Sequence, residues 1–177
     1  GLDKGVCDKP QAALVAIDTA SGAVKAMVGG RDYYASEFNR AVNSKRQAGS
    51  GFKPFLYYAA LRDGKLHPAS VFQDRPVAIP INGASDWYPQ NFEKEFRGPM
   101  ILKQALINSV NTIAAQLVAD VGAAAVVDVA KVCGVKSPLK SVYSVALGTS
   151  DVSVMDMAAG FSTFASLGIC HEPFLFW

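Results

Sequence analysis

A serine and a lysine stand three residues apart in Arg46-Gln47-Ala48-Gly49-Ser50-Gly51-Phe52-Lys53-Pro54-Phe55. A serine hydroxyl is a weak nucleophile until an adjacent base takes its proton. Lysine serves as that base only once its own proton is gone. Its ordinary pKa is about 10.4, so bringing it near neutrality takes ~3 units, or ~4 kcal/mol. Burial and the positive end of a helix both push that way. On a helix, positions i and i+3 share a face, with a rise of roughly 4.5 Å between them. Ser50 Oγ and the Lys53 ammonium can therefore meet without another element. The plain alternative is a helix N-cap serine followed by a solvated lysine, and a lone S-x-x-K does not choose between the two.

The surrounding pattern supplies elements to hold such a pair. Gly49 and Gly51 flank the serine, where the backbone bends or something approaches closely. The apolar run from Phe55 to Leu61 predicts a helix from about Gly51 to Asp63, with Pro54 tolerated in its first turn. Upstream, Ala12 to Ile17 and Ala23 to Val28 flank the turn signal Asp18-Thr19-Ala20-Ser21-Gly22 and predict a β-hairpin. Both runs are apolar on consecutive positions, which predicts a hairpin covered on both faces. Residues 31–49 have no clean period and read as a long loop that delivers the chain to Ser50.

Downstream, Val71-Phe72 and Val77 to Ile81 predict short strands broken by Pro76 and Pro80, with a turn at Asn82-Gly83. Asp86-Trp87-Tyr88-Pro89-Gln90-Asn91-Phe92 gathers aromatics around a proline, either as a small cluster under a loop or as one wall of a groove. From Met100 the spacing turns helical, is interrupted at Asn108-Ser109-Val110-Asn111, and resumes through Val121, so two helices meet at a polar corner. Further helices are predicted over Ala123 to Cys133 and Val154 to Ala165, separated by turns at Ser137-Pro138 and Leu147-Gly148-Thr149-Ser150.

Composition bounds the function classes. The 177 residues suit one domain, and 50% hydrophobic with 18% charged residues allows a sizeable core. The net charge of +2 is spread along the chain, so nothing points to nucleic acid. No apolar stretch reaches transmembrane length and no signal peptide opens the chain. Cys7, Cys133 and Cys170 form no closed framework; a Cys133–Cys170 disulfide needs two helix ends to pack together. No Cys/His cluster suggests a metal, and His67 and His171 read as surface or turn residues.

Ser109-Val110-Asn111 supplies a second motif. S-x-x-K followed by S-x-N is the order of the penicillin-recognising serine enzymes. Several stretches carry the likeness further: A-L-V-A-I-D-T-A-S-G-A-V-K-A-M-V-G-G, F-N-R-A-V, R-Q-A-G-S-G-F-K-P-F, W-Y-P-Q-N-F, G-P-M-I-L-K-Q-A-L and A-L-G-T-S-D-V-S-V-M-D-M-A. Over nearly its whole length the chain resembles the transpeptidase domain of a bifunctional (class A) penicillin-binding protein. Ala48 stands where the family usually has proline, and Gly51 where it usually has serine or threonine. The third motif, K-T-G or K-S-G, is absent and would be expected beyond Trp177.

The resemblance implies an α+β fold of the penicillin-binding-protein/serine β-lactamase type, an antiparallel sheet with flanking helices. Residues 1–177 would be its N-terminal portion, without the C-terminal strands, the glycosyltransferase domain or the membrane anchor, and would be impaired if alone. It implies that Ser50 attacks the carbonyl between the terminal D-alanines of a peptidoglycan stem peptide, with Lys53 as general base. Ser109 would relay a proton to the leaving amine. Asn111 would hold the substrate amide, and Trp87 would contact substrate. One oxyanion donor would be the Ser50 backbone N–H. No cofactor or metal is implied. The implied partners are stem peptides, β-lactams and cell-wall synthesis proteins, at the extracytoplasmic face of the bacterial membrane. Two other readings stay open: a serine β-lactamase or β-lactam sensor, which shares S-x-x-K although the A-L-G-T-S stretch favours the transpeptidase, and a non-catalytic scaffold, which the missing third motif supports.

Overall fold

A computed structural model describes residues 10–81 and 83–175. Cys7 and Asn82, to which the sequence reading assigned a possible disulfide partner and a turn, lie outside the described residues. In chain order the elements are strands β1 (Leu14–Ile17), β2 (Val24–Val28) and β3 (Arg46–Gln47), helix α1 (Lys53–Leu61), strands β4 (Val71–Asp74) and β5 (Gly98–Ile101), helices α2 (Leu102–Ile107), α3 (Asn111–Val121) and α4 (Ala123–Val132), strand β6 (Asp151–Val152) and helix α5 (Val154–Ala165). They fall into two compact units. One takes the described residues up to Arg46, Val132–Ser137 and the chain from Val152; the other takes Gln47–Lys131 and Pro138–Asp151.

In the first unit, β1 and β2 pair antiparallel, from Leu14 opposite Val28 to Ile17 opposite Val24, with an irregularity between Ala16 and Ile17. The five-residue turn is built on Asp18, whose Oδ1 accepts from the N–H groups of Ala20 and Ser21 at 2.9 and 3.3 Å. Helix α5 packs on β1. The expectation of a hairpin covered on both faces is not met: Leu14 is 51% and Val28 50% exposed. One helix covers one face, so consecutive apolar residues do not by themselves guarantee two neighbours. Helix α5 starts and stops where the apolar period predicts. A capping box fixes its start, with Ser153 and Asp156 each accepting from the other's backbone N–H. Asp156 also accepts from Lys136 N and Ser137 Oγ, at 2.8 and 2.5 Å, which ties the segment after α4 to α5. Thr163 Oγ1 donates to the Cys133 carbonyl at 2.9 Å, a second tie between the two. The helix ends therefore do pack together, yet Cys133 and Cys170 are free thiols, the first buried and the second exposed.

The second unit is built around α1 and α3, which pack against each other. Their contact faces carry Phe55, Leu56, Ile113, Leu117 and Val118, all fully buried. Each such side chain contributes about 1.5–3 kcal/mol by leaving water. The predicted helix beginning near Gly51 is in fact two pieces. Gly49–Phe52 is a 3-10 turn and α1 proper begins at Lys53, with Pro54 inside its first turn. Ser50 therefore sits on the tighter turn that leads into the helix.

Strands β4 and β5 pair antiparallel, with Val71 opposite Ile101 and Asp74 opposite Gly98. The helical spacing from Met100 predicts a helix there, but residues 98–101 are strand, because they pair with β4. The second strand expected at Val77 to Ile81 shrinks to a single bridge between Ile79 and Trp87. The prolines on either side of it leave too few N–H donors for a ladder. The polar corner between α2 and α3 is present as expected. His67 is exposed in a turn, its N–H donating to Ser70 Oγ at 3.0 Å, and His171 is half-buried.

Candidate active site

Three elements of the second unit bring their ends together: the 3-10 turn before α1, the corner between α2 and α3, and the loop before β5. Lys53, the first residue of α1, is 1% exposed. Its ammonium donates to the Ser109 carbonyl at 2.5 Å, to Ser109 Oγ at 2.9 Å and to Asn111 Oδ1 at 2.7 Å. All three N–H donors are thus used. Burial pushes its pKa down from 10.5 to about 8. Ser109 reaches Lys53 with both oxygens because its backbone is left-handed, at φ +54°. That conformation is uncommon for a side chain other than glycine, asparagine or aspartate and costs of order 1–3 kcal/mol. The two bonds it accepts from Lys53 hold it there.

Ser50 is exposed and opens onto a cleft of about 410 Å³ that Ser109 and Asn111 also line. Among the described residues no hydrogen bond joins Ser50 to Lys53. The i, i+3 spacing allows that contact, but Ser109 and Asn111 take the lysine's donors. The same turn is pressed from behind by Gly148, of the Ala146-Leu147-Gly148-Thr149 stretch. Gly49 N–H donates to the Gly148 carbonyl at 3.2 Å. Gly148 is left-handed at φ +69°, and a Cβ there would lie 2.1 Å from the Gly49 carbonyl oxygen. Only glycine fits this position.

The far wall of the cleft is residues 91–97. It carries Phe92, an ion pair between Arg97 and Glu93 at 2.9 Å, and Glu95. Trp87 is not brought into the cleft; its backbone pairs with Ile79, at 2.9 Å in both directions. The residues of this loop that do reach the motif are Gln90 and Asn91, which the sequence reading passed over. Asn111 Nδ2 donates to the Gln90 carbonyl at 2.8 Å. Asn91 Oδ1 accepts from the N–H groups of Asn111 and Thr112, at 2.9 and 3.3 Å. Helix α3 has no cap from its own N-cap residue, Val110, so Asn91 satisfies its first donors from a distance. Asn91 stands in the quoted W-Y-P-Q-N-F stretch, but its partner is remote in sequence and no local spacing announces it. Among the described residues no group of three His, Cys, Asp or Glu side chains could hold a metal ion.

The family model described as the penicillin-binding protein transpeptidase domain matches residues 12–176. The chain belongs to that family. It is 40% identical over 165 residues to penicillin-binding protein 1A of Aquifex aeolicus, covering 93% of this chain and 22% of that protein. To penicillin-binding protein 1A of Neisseria gonorrhoeae it is 38% identical over 161 residues, covering 89% of this chain and 20% of the relative. The chain thus spans about a fifth of the length of these relatives. Among solved structures it is similar to the crystal structure of penicillin-binding protein 1A from Haemophilus influenzae, with TM-score 0.87 and 36% identity over 93% of this chain and 25% of that one. It is also similar to the PonA1 protein of Mycobacterium tuberculosis in complex with penicillin V, with TM-score 0.80 and 29% identity over 93% of this chain and 47% of that one. The expected fold class, a mixed helix and strand transpeptidase of the penicillin-binding proteins, agrees with these neighbours.

Proposed function

We propose that this chain carries the serine acyl-transfer centre of a peptidoglycan D,D-transpeptidase that β-lactams acylate. The observation that carries the reading is the placement of Lys53, buried, lowered to about 8 and bonded to Ser109 and Asn111, two residues that line the same cleft as the exposed Ser50. In the proposed reaction Ser50 Oγ attacks the carbonyl carbon between the two terminal D-alanines of a stem peptide. Its proton passes to neutral Lys53. The charge on the carbonyl oxygen is met by backbone N–H donors, among them that of Ser50. When the C–N bond breaks, the proton on Lys53 passes by way of Ser109 Oγ to the departing D-alanine amine. An amine of a neighbouring stem peptide then attacks the Ser50 ester, and the serine recovers its proton.

A β-lactam would follow the first half of this course. Its leaving amine stays tethered to the acyl group, so the ester persists. The complex of the similar PonA1 protein with penicillin V supports that extension. Asn111, which lines the cleft, is the group proposed to meet the substrate amide. In the whole protein, at the outer face of the bacterial membrane, the centre would work on stem peptides of glycan strands made by a companion glycosyltransferase domain.

The reading is tested by supplying the complete protein with a stem pentapeptide donor and an amine acceptor. The expected result is release of D-alanine matched by cross-linked product, and loss of both in Ser50→Ala. Nitrocefin opened with rapid repeated turnover and no cross-linking would assign a β-lactamase instead. Unchanged cross-linking by Ser50→Ala would remove Ser50 from the chemistry.

A further inference from the structure

Behind the cleft wall lies a carboxylate that the proposed chemistry does not use. Asp74, at the end of β4, is 1% exposed. It accepts from Thr112 Oγ1 at 2.5 Å, from Asn91 Nδ2 at 2.8 Å and from Arg97 N–H at 2.8 Å. Burial alone would raise its pKa, but these donors outweigh burial and hold it below the usual carboxylate value, so it stays ionised at neutral pH. Bonds to an ionised acceptor are roughly twice as strong as neutral ones.

The consequence for Asn91 is orientational. Both of its N–H donors are taken, one by Asp74 and the other by the Glu95 carbonyl at 2.9 Å. Its Oδ1 must therefore face the start of α3, where it receives Asn111 N–H and Thr112 N–H. A flipped amide would place its oxygen against the Asp74 carboxylate. Asn111 is then held at two points by the same loop, at its N–H by Asn91 and at Nδ2 by the Gln90 carbonyl. With Nδ2 engaged, Asn111 Oδ1 can only face Lys53. The Asp74 carboxylate also grips both ends of the cleft wall, Asn91 and Arg97, so the wall and the Ser109-Val110-Asn111 corner are fixed to one anchor.

We infer that Asp74 and Asn91 are positioning residues that set the orientation of Asn111, and thereby the acceptors around Lys53, for acyl transfer to Ser50. The inference rests on the proposed function. The charged groups of the cleft are Glu93, Glu95 and Arg97 in the wall, with Asp74 behind it; Tyr57 lies one turn beyond Lys53 on α1. Among the described residues none of them bonds to Lys53, so the hydrogen-bond geometry of Ser109 and Asn111 is the local control on its proton.

The test is the rate constant for acylation of the complete protein by a fluorescent penicillin, followed from about pH 6 to about pH 10. Two variants are compared with the wild type. Asn91→Ala removes the orienting amide, and Thr112→Val removes a single buried hydroxyl that touches Asp74 and keeps the shape of α3. Misplacing a group by about 1 Å can cost ~100-fold, and that loss is expected for Asn91→Ala, with about tenfold for Thr112→Val. The distinguishing sign is in the pH profile. Loosening Asn111 removes a bond that favours the charged lysine, so the rising limb moves to lower pH while full labelling still reaches one equivalent. A uniform slowing with an unmoved limb would confine Asp74 and Asn91 to folding and overturn the inference, as would wild-type rates in both variants. If Asn91→Ala does not fold, Thr112→Val decides by the same criterion. A wild-type protein that penicillin does not acylate would instead overturn the proposed function, and this inference with it.

Discussion

At the residue scale the account turns on Lys53. Its ammonium is out of water but fully bonded, so burial and hydrogen bonding pull its pKa in opposite directions. Burial prevails, and the value falls from 10.5 to about 8. In the proposed reaction the neutral lysine is the active form, so acylation should rise about tenfold per pH unit up to about pH 8 and level off above it. A rate independent of pH between about 6 and 9 would exclude Lys53 as the base. Lys53→Arg keeps the charge but cannot release the proton at accessible pH. It should be nearly as slow as Lys53→Ala, and acylation within about tenfold of wild type, ~1.4 kcal/mol of barrier, would contradict the general-base role. Ser50, Lys53, Ser109 and Asn111 could all be singled out from two short motifs, because each motif is local. Trp87 stands in the same loop as Asn91, and its backbone pairs with Ile79. A tryptophan is conspicuous in a sequence, whereas the partners of Asn91 lie far off in the chain.

At the element scale, the turn before α1 is shaped by what stands behind it. Gly148 leaves no room for a Cβ against Gly49 and has a backbone conformation that an L side chain strains to adopt. Gly148→Ala should therefore push the Gly49-Ser50 turn forward. The expected outcome is a loss of acylation rate larger than the loss of stability. A variant of unchanged rate would show that the turn does not transmit the contact. Helix α1 carries a second feature, the Tyr57 hydroxyl, buried without a hydrogen-bond partner among the described residues, whose pKa burial pushes up. An unsatisfied buried polar group costs about 1–3 kcal/mol. Tyr57→Phe should be neutral or should raise the melting temperature; a clear fall would reveal a partner for the hydroxyl. The α5 boundaries were legible because a capping box and an unbroken apolar period coincide. Strand β5 was not, since Met100 and Ile101 fit a helical period equally well and only the pairing with β4 decides.

At the scale of the whole molecule, among the described residues each compact unit keeps one buried carboxylate that gathers several donors, Asp74 in the unit of α1 and α3, and Asp156 in the unit of α5. For both, burial would raise the pKa, yet their hydrogen bonds outweigh it and hold them below the ordinary value of 3.8. The unfolded chain then binds the proton more readily than the folded one. The stability these groups contribute is fully present above the ordinary value and is lost as pH falls through the lower, folded-state value. Acid should therefore unfold the protein below about pH 4, and Asp156→Asn should flatten that dependence. An acid transition unchanged by the substitution would place the sensitivity elsewhere. The family and the fold class could be read from ordered motifs spread over most of the chain. The exposure of the β1–β2 hairpin could not, because apolar composition records a tendency to be buried and not the number of neighbours that bury it.

The central claim is that Ser50 is the acylated nucleophile. Its most direct test is to treat the complete protein with benzylpenicillin, digest it, and locate the adduct by tandem mass spectrometry. The account predicts a single penicilloyl group on the peptide containing Ser50-Gly51-Phe52-Lys53, absent from Ser50→Ala. An adduct on any other residue, or labelling that persists in Ser50→Ala, would contradict it.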